Sequence, residues 1–376
     1  MSNRPKGMKN KKLFSTLTIF FIVFSLILGI TSCKKKEPET IKIGAILPLT
    51  GELSFLGEPG KNAIELIRQQ YGNQVKIYLY DSKGNPKTGL SVFQQAYNFD
   101  KIRIFLTTLT GVSMAIKPVA KNYGVLQVII AIYPHISADY EFAFQFCYNA
   151  ETEAKILIDY LNKIKAKKIF FFASRDPITE LQINEYFKPA LENRMIIESF
   201  DIGIKNFKDL VSKFKFSNSD IGILLGYGSD FQGILKELAQ QGLIGKIKLL
   251  GGIGYLELPN YVNYDMVKGS IFAVPKFIVE NTQEYQEFSK LYKSRFKKDP
   301  TYDAIYTYDA LQTIIKAYKQ LKTDNVKLIS EYLLTNTFNG ISGTIKFTSD
   351  RMLVTEAVLG KFDKDMRIIS ITEEGE

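Results

Sequence analysis

Thr107-Thr108-Leu109-Thr110-Gly111 places three hydroxyls and a glycine between a strand-like run, Ile102–Leu106, and a helical pattern, Val112–Asn122. Backbone N–H groups at a helix start attract anions, so this junction suits a carboxylate. A Thr that merely caps the helix would look the same. Gly226-Tyr227-Gly228 also joins a strand to a helix, but the third glycine of a dinucleotide-binding turn is missing. His135 is the one histidine of the chain, which leaves no histidine metal cluster and no Ser-His-Asp triad. No Gly-Lys-Ser/Thr phosphate loop, Cys-x-x-Cys or His-Glu-x-x-His occurs. No catalytic residue, metal ligand or cofactor is therefore expected. Cys147 lies in the apolar stretch Phe144–Tyr148 and reads as a buried, inert thiol.

The elements that must carry these junctions alternate from Ile41 onward. Ile41–Leu47, Val75–Tyr80, Ile102–Leu106 and Val125–Ile130 are predicted strands, with single helices between them. Pro59 suits the first turn of the first helix and Gly72 its end. The pattern repeats after a predicted helix Glu151–Ile164, whose Ala154, Leu157, Ile158 and Leu161 face inward. Strands follow at Lys168–Phe172, Met195–Phe200, Ile221–Leu225 and Ile247–Leu250. Phe207, Leu210, Val211 and Phe214 keep the i, i+3, i+4, i+7 spacing of an amphipathic helix. Apolar strands separated by single helices indicate parallel sheets covered on both faces. Two such runs, 41–148 and 151–274, predict two similar α/β lobes. Helices return at Gln283–Phe296, Tyr306–Leu321 and Val326–Leu334, and the chain ends in strand-like Gly343–Phe347 and Ala357–Phe362.

The first twelve residues carry Arg4, Lys6, Lys9, Lys11 and Lys12 and no acid, and Leu13–Ile30 is apolar. Ile30-Thr31-Ser32-Cys33 follows. A basic start, an apolar middle and small residues at a cleavage point make an export signal. With Cys next, the segment resembles a bacterial lipoprotein signal, which implies lipidation of Cys33. A single membrane-spanning anchor is the other reading, although Ser15, Thr16, Thr18 and Ser25 dilute the run. Residues 1–32 are thus expected to be a signal and 33–40 a polar tether. The net charge of +10 is partly the signal's, and no dense Lys/Arg stripe with interleaved aromatics suggests nucleic acid. With Cys33 lipidated, Cys147 can form no intrachain disulfide, so the fold must rest on its cores.

Four stretches carry a wider resemblance: Ile41–Gly51 with Gly57-Glu58, Ala115–Ala120 ending at Tyr123-Gly124-Val125, Pro300–Ala310 with Tyr308-Asp309-Ala310, and Phe338–Phe347. In this order they resemble the type I periplasmic solute-binding proteins, in the branch of the leucine/isoleucine/valine-binding proteins of ABC importers. The resemblance implies two doubly wound parallel-sheet lobes joined by three crossover strands. Lobe 1 is then 41–149 plus 275–338, and lobe 2 is 150–274 plus 339–376. A small-molecule ligand would sit in the cleft between them, beyond the strands' carboxyl ends, and an ABC permease would read the closed form.

Carried onto this chain, the family's positions nominate Thr108, Thr110 and Gly111 for a ligand carboxylate. They nominate Ala131 and Tyr133 on the next loop, and Asp176, Tyr227 and Ile253 in the second lobe. Three positions depart from the pattern. Ile253 stands where amino-acid binders put an acid for the ammonium, Ser174–Thr179 lacks a Tyr-Gly pair, and Leu56 replaces an aromatic. A buried ammonium needs a paired charge or full hydrogen bonding, so these changes favour a less charged solute over an α-amino acid. The expectation is a monomeric, non-catalytic, lipid-anchored binding protein outside the cytoplasm. The alternative is an envelope lipoprotein that uses the same fold to regulate a protein partner such as a peptidoglycan synthase. An exported enzyme ranks last.

Overall fold

The computed structural model describes Met1 and residues 40–371. The expected signal, Cys33 and all of the tether before Thr40 lie outside the described residues. The first sheet is built from β1 (Ile41–Leu47), β2 (Val75–Asp81), β3 (Ile104–Thr108), β4 (Leu126–Ile130) and β5 (Ala143–Gln145). Their order is β2-β1-β3-β4-β5, parallel throughout. Every residue of β3 and β4 is buried, as strands covered on both faces require.

Three helices connect these strands: α1 (Ser54–Tyr71), α2 (Pro86–Asn98) and α3 (Thr110–Tyr123). Ala63, Ile64 and Ile67 of α1 pack on one face of the sheet. Phe93 of α2 and Ile116 of α3 pack on the other. Truncating a buried Phe such as Phe93 to Ala costs about 3–5 kcal/mol. Asn85 starts α2 by accepting hydrogen bonds from Lys87 and Thr88 N–H, with Pro86 in the first turn. Helix α1 begins at Ser54 and holds Pro59 inside it, earlier than the proline predicts. Gly57 presses so closely on the Pro48 carbonyl that a Cβ would sit 2.1 Å from its oxygen.

The chain then passes to the second lobe. It carries α4 (Ala150–Lys163), β6 (Ile169–Ser174), α5 (Pro177–Leu181), α6 (Lys188–Leu191), β7 (Met195–Phe200), α7 (Lys208–Phe216), β8 (Ile221–Leu225), α8 (Gly228–Gln240), β9 (Lys248–Gly251), α9 (Tyr264–Val267) and β10 (Ile271–Pro275). A π-turn, Gln182–Phe187, joins α5 to α6. The lobe's sheet runs β14-β13-β10-β9-β8-β6-β7. Its late strands β13 (Ala357–Phe362) and β14 (Ile368–Ser370) are antiparallel, so this sheet is parallel through five strands and closes in an antiparallel edge.

Between β10 and β13 the chain returns to the first lobe. It forms α10 (Lys276–Glu280), α11 (Gln283–Phe296), α12 (Tyr302–Leu321), α13 (Val326–Thr335) and a hairpin of β11 (Phe338–Gly340) and β12 (Gly343–Ile345). Tyr292 of α11 accepts a hydrogen bond from Asn62 of α1, and Tyr71 of α1 bonds Gln312 of α12. Residues 339–353, assigned to lobe 2 from the sequence, pack with the first lobe. Phe347 sits edge-on to Phe144 and Phe146, and Gln145 exchanges backbone bonds with Arg351 and Leu353. The hairpin is anchored by α12, so the passage back to lobe 2 comes after Leu353. Among the described residues no helix is long and apolar enough to cross a membrane.

Candidate functional site

The carboxyl ends of β3 and β4 face those of β6, β8 and β9 across a cleft, the place where open α/β sheets bind ligands. A cavity of about 70 Å³ lies there, room for several water-sized groups and so for part of a small solute. Thr110, Ala131, Asp176, Tyr227 and Ile253 of the expected residues line it together. Thr108, Gly111 and Tyr133 do not. Thr108 is buried behind the wall, and its hydroxyl has no hydrogen-bond partner. Gly111 lies on the first turn of α3, where a Cβ would come 3.4 Å from Pro86. Tyr133 packs its ring on the α2–α3 core, and its carbonyl accepts from Gln145 Nε2 at 2.9 Å. The same amide fixes the Ala131 carbonyl at 2.6 Å.

The first-lobe wall is the start of α3. No side chain caps this helix, and its N-cap residue, Leu109, takes the left-handed φ of 68°. A branched side chain there is strained, and such strain persists only where the surroundings impose it. The uncapped N–H groups carry the positive end of the helix dipole, and Thr110 stands beside them on the cavity wall.

The second-lobe wall carries acid. Asp176 caps α5, accepting from Ile178 N–H at 2.8 Å and Thr179 N–H at 3.1 Å. It also accepts from the Thr179 and Ser174 hydroxyls. With its lone pairs occupied, it serves the loop. Glu153 is the different case. It is 3% exposed and accepts from Gln182 Nε2 at 2.8 Å and from Ile253 N–H at 2.7 Å. Burial pushes its carboxyl up to about 7 against the help of those two donors. Gly252 makes room for it, since a Cβ there would meet Glu153 Oε1 at 1.9 Å.

The absence of an acid at Ile253 therefore does not leave the cleft without one. Helix α4 delivers a carboxyl group onto the Ile253 backbone, which removes the Ile253 part of the argument for a less charged solute. Glu153 was legible as a charged residue on the otherwise apolar 150/153/154/157/161 stripe of α4, a pattern conflict that marks functional positions.

Asp303 is the second acid that the sequence did not single out. It lies on α12, 8% exposed, and lines the cavity from the first-lobe side. Burial pushes it up to about 7, opposed by a hydrogen bond from Tyr302. Tyr227 sits edge-on to Phe55 of α1, centroids 6.2 Å apart, so the lobes touch across the mouth. Its hydroxyl is held far above its usual range by burial and then by the Asp176, Glu257, Asp303 and Asp230 carboxylates. Cys147 also lines the cavity, 1% exposed, with its thiol raised by burial and so protonated. His135 lies outside the cavity, bonded to Asp350 at 2.6 Å and near Glu151 at 3.5 Å. No group of three or more His, Cys, Asp and Glu side chains placed to hold a metal occurs among the described residues.

Known proteins share this architecture. The model of the family described as "Periplasmic binding protein" matches residues 40–367. A "Leu/Ile/Val-binding protein homolog 3" of Brucella melitensis is 28% identical over 288 residues, covering 72% of this chain and 75% of that protein. A leucine-, isoleucine-, valine-, threonine- and alanine-binding protein of Pseudomonas aeruginosa is 22% identical over 325 residues, covering 82% and 86%. Among solved structures, a branched-chain amino acid transporter substrate-binding protein of Streptococcus pneumoniae with isoleucine superposes with TM-score 0.77 at 20% identity, covering 89% of this chain and all of that one. A solute-binding protein of an ABC transporter from Rhodopseudomonas palustris with 3,4-dihydroxybenzoic acid reaches 0.81 at 20% identity, covering 89% and 97%. The chain belongs to the periplasmic binding protein family, in the type I branch of the leucine/isoleucine/valine-binding proteins.

Proposed function

We propose that this chain is an extracytoplasmic solute-binding protein that closes its two lobes on a small amino-acid-like solute and presents it to an ABC permease. One observation carries the reading: the uncapped start of α3 and the buried Glu153 line the same cavity. The first suits a carboxylate and the second an ammonium, so the pair suits a zwitterion. Thr110 would add a hydroxyl to the carboxylate, and Tyr227, Ala131 and Ile253 would enclose the rest. The relatives' printed ligands, branched-chain amino acids above all, point the same way. Ligand contacts in both lobes stabilise the closed form, which is how binding becomes a signal to a partner. The protein performs no chemical step in this scheme. The mature chain would be a monomer tethered by lipid on Cys33, because several acyl chains anchor firmly.

Mass spectrometry of ligand released from the purified, unfolded protein tests the reading. A zwitterionic small molecule in stoichiometric amount is expected. Recovery of no small molecule, together with no melting shift from any amino acid, would favour the protein-regulating alternative. Cys33→Ser should move the protein from the membrane fraction to the soluble one; unchanged fractionation would remove the lipid anchor.

A further inference from the structure

The cavity has a neighbour. A second chamber of about 210 Å³ opens between α1, α11 and the 3-10 segment Ile253–Asn260 of the second lobe. It shares Leu56 and Asp303 with the first cavity, so Asp303 stands in the wall of both. Across from it the chamber is lined by Glu257. Glu257 is 4% exposed. Its Oε2 accepts from Gly228 N–H at 3.0 Å, capping α8, and its Oε1 has no hydrogen-bond partner. A buried carboxylate with an idle oxygen is costly unless something binds it.

Two lysines stand on the chamber wall, but neither pairs with these acids. Neither acid has an ion-pair partner among the described residues. Lys298, at the chamber's edge, is paired with Glu58 at 2.9 Å, and Lys297, the other lysine of the wall, donates to the Ser294 carbonyl at 2.9 Å. Asp230 on α8 adds a further negative neighbour to Glu257, and Asp303 a stronger one. Two acids from opposite lobes thus face one chamber uncompensated.

We infer that the solute carries a second ammonium at the end of a short aliphatic chain, held in the outer chamber between Asp303 and Glu257. This rests on the zwitterion reading of the inner cavity and extends it to a basic amino acid. The α-carboxylate would lie on the start of α3, the α-ammonium on Glu153, and the chain would pass Leu56 into the outer chamber. The single cation would offset one negative charge and hydrogen-bond both acids as the lobes close, so binding near pH 7 expels protons. Burial holds Glu257 at about 8 and Asp303 at about 7 without the solute.

The test is calorimetry on the purified mature chain with lysine, ornithine, leucine and cadaverine, for the wild type, Glu257→Gln and Asp303→Asn. Lysine or ornithine should bind at least about tenfold more tightly than leucine, the scale of one charge-assisted contact. Each variant should lose lysine affinity by at least about tenfold more than leucine affinity. Gln keeps an acceptor for Gly228 N–H, and a melting curve checks that both variants fold. Lysine binding with cadaverine weak sustains the inference; cadaverine matching lysine overturns the basic amino acid, because the α-carboxylate would then contribute nothing. Leucine binding best, with the variants alike for all ligands, overturns the inference and leaves the inner-cavity reading standing. A lysine preference that both variants retain also overturns it, by removing these two acids from the site. Failure of every probe to bind ends both.

Discussion

Helix α12 carries the same tripeptide twice, Tyr302-Asp303-Ala304 and Tyr308-Asp309-Ala310. Six residues separate the two aspartates, which turns them roughly 240° apart on the helix. Both are buried, at 8% and 1% exposure, and burial raises both carboxyls. Their partners differ. Asp309 accepts from Ile341 N–H at 2.8 Å, Ser342 N–H at 2.8 Å and the Ser342 hydroxyl at 2.6 Å. It thereby closes the β11–β12 hairpin. Asp303 has Tyr302 and two chambers. An acid surrounded by donors of its own chain serves the fold; a buried acid short of donors on a cavity wall is the one a solute's cation would satisfy. The same contrast separates Asp176, which is saturated, from Glu257, which has a free oxygen.

Substitution should break the two aspartates apart. Asp309→Ala strands two buried N–H groups and should cost about 3 kcal/mol, at 1–3 kcal/mol for each orphaned group. Urea unfolding measures it, and a wild-type midpoint would contradict the structural role. Asp303→Asn should lower affinity for an ammonium-bearing solute by about 10–100-fold while the melting temperature holds or rises. A fall in melting temperature like that of Asp309→Ala would erase the distinction.

The glycines beside these acids sharpen the same point. A Cβ on Gly340 would come 2.7 Å from the Asp309 carboxyl, and one on Gly252 would strike Glu153. Gly340→Ala should therefore cost stability, about 1–3 kcal/mol for forced overpacking. Gly252→Ala should cost stability too, since it displaces a buried, hydrogen-bonded carboxyl, and should lower solute affinity as well. Thermal melts with and without solute separate the two, and solute stabilisation unchanged in Gly252→Ala would defeat the assignment.

A pH series tests the donor-poor set as a group. Asp303 and Glu153 are held at about 7 and Glu257 at about 8 in the fold, against about 4 in an unfolded chain. The folded protein then holds protons that the unfolded chain releases. The stabilisation is full below about pH 4 and is lost as pH rises through 7 to 8. Solute-free protein should melt progressively lower from pH 5 to 8, and Asp303→Asn should flatten that slope. A melting temperature that climbs over this range would count against raised carboxyls. The smallest effect belongs to the exposed Lys298–Glu58 pair. Lys298→Ala should cost less than about 1 kcal/mol, and a larger loss would mean the chamber's rim matters more than its acids.

Local pattern was enough for the strands and helices, because an apolar run or an i, i+3, i+4 face declares itself within a few residues. The cleft residues came from the family resemblance instead: of those it nominates, Thr110, Ala131, Asp176, Tyr227 and Ile253 line one cavity, and Thr108, Gly111 and Tyr133 do not. The direction of the late strands was not legible. The antiparallel edge of β13 and β14 depends on where the chain re-enters lobe 2, and residues 339–353 stay behind because Asp309 and Phe144 hold them.

The sequence by itself determined two α/β lobes, since burial of alternating apolar elements admits few other arrangements; the binding role came from the resemblance of four stretches to a family. Only the tertiary structure decided which acids face the cleft. Ile253 looks like a missing carboxylate when read along the chain, yet Glu153, far upstream, brings its carboxyl to the same wall of the cavity and accepts from the Ile253 N–H. Asp303 and Asp309 are alike in sequence and differ in their partners, because hydrogen-bond supply depends on neighbours in space.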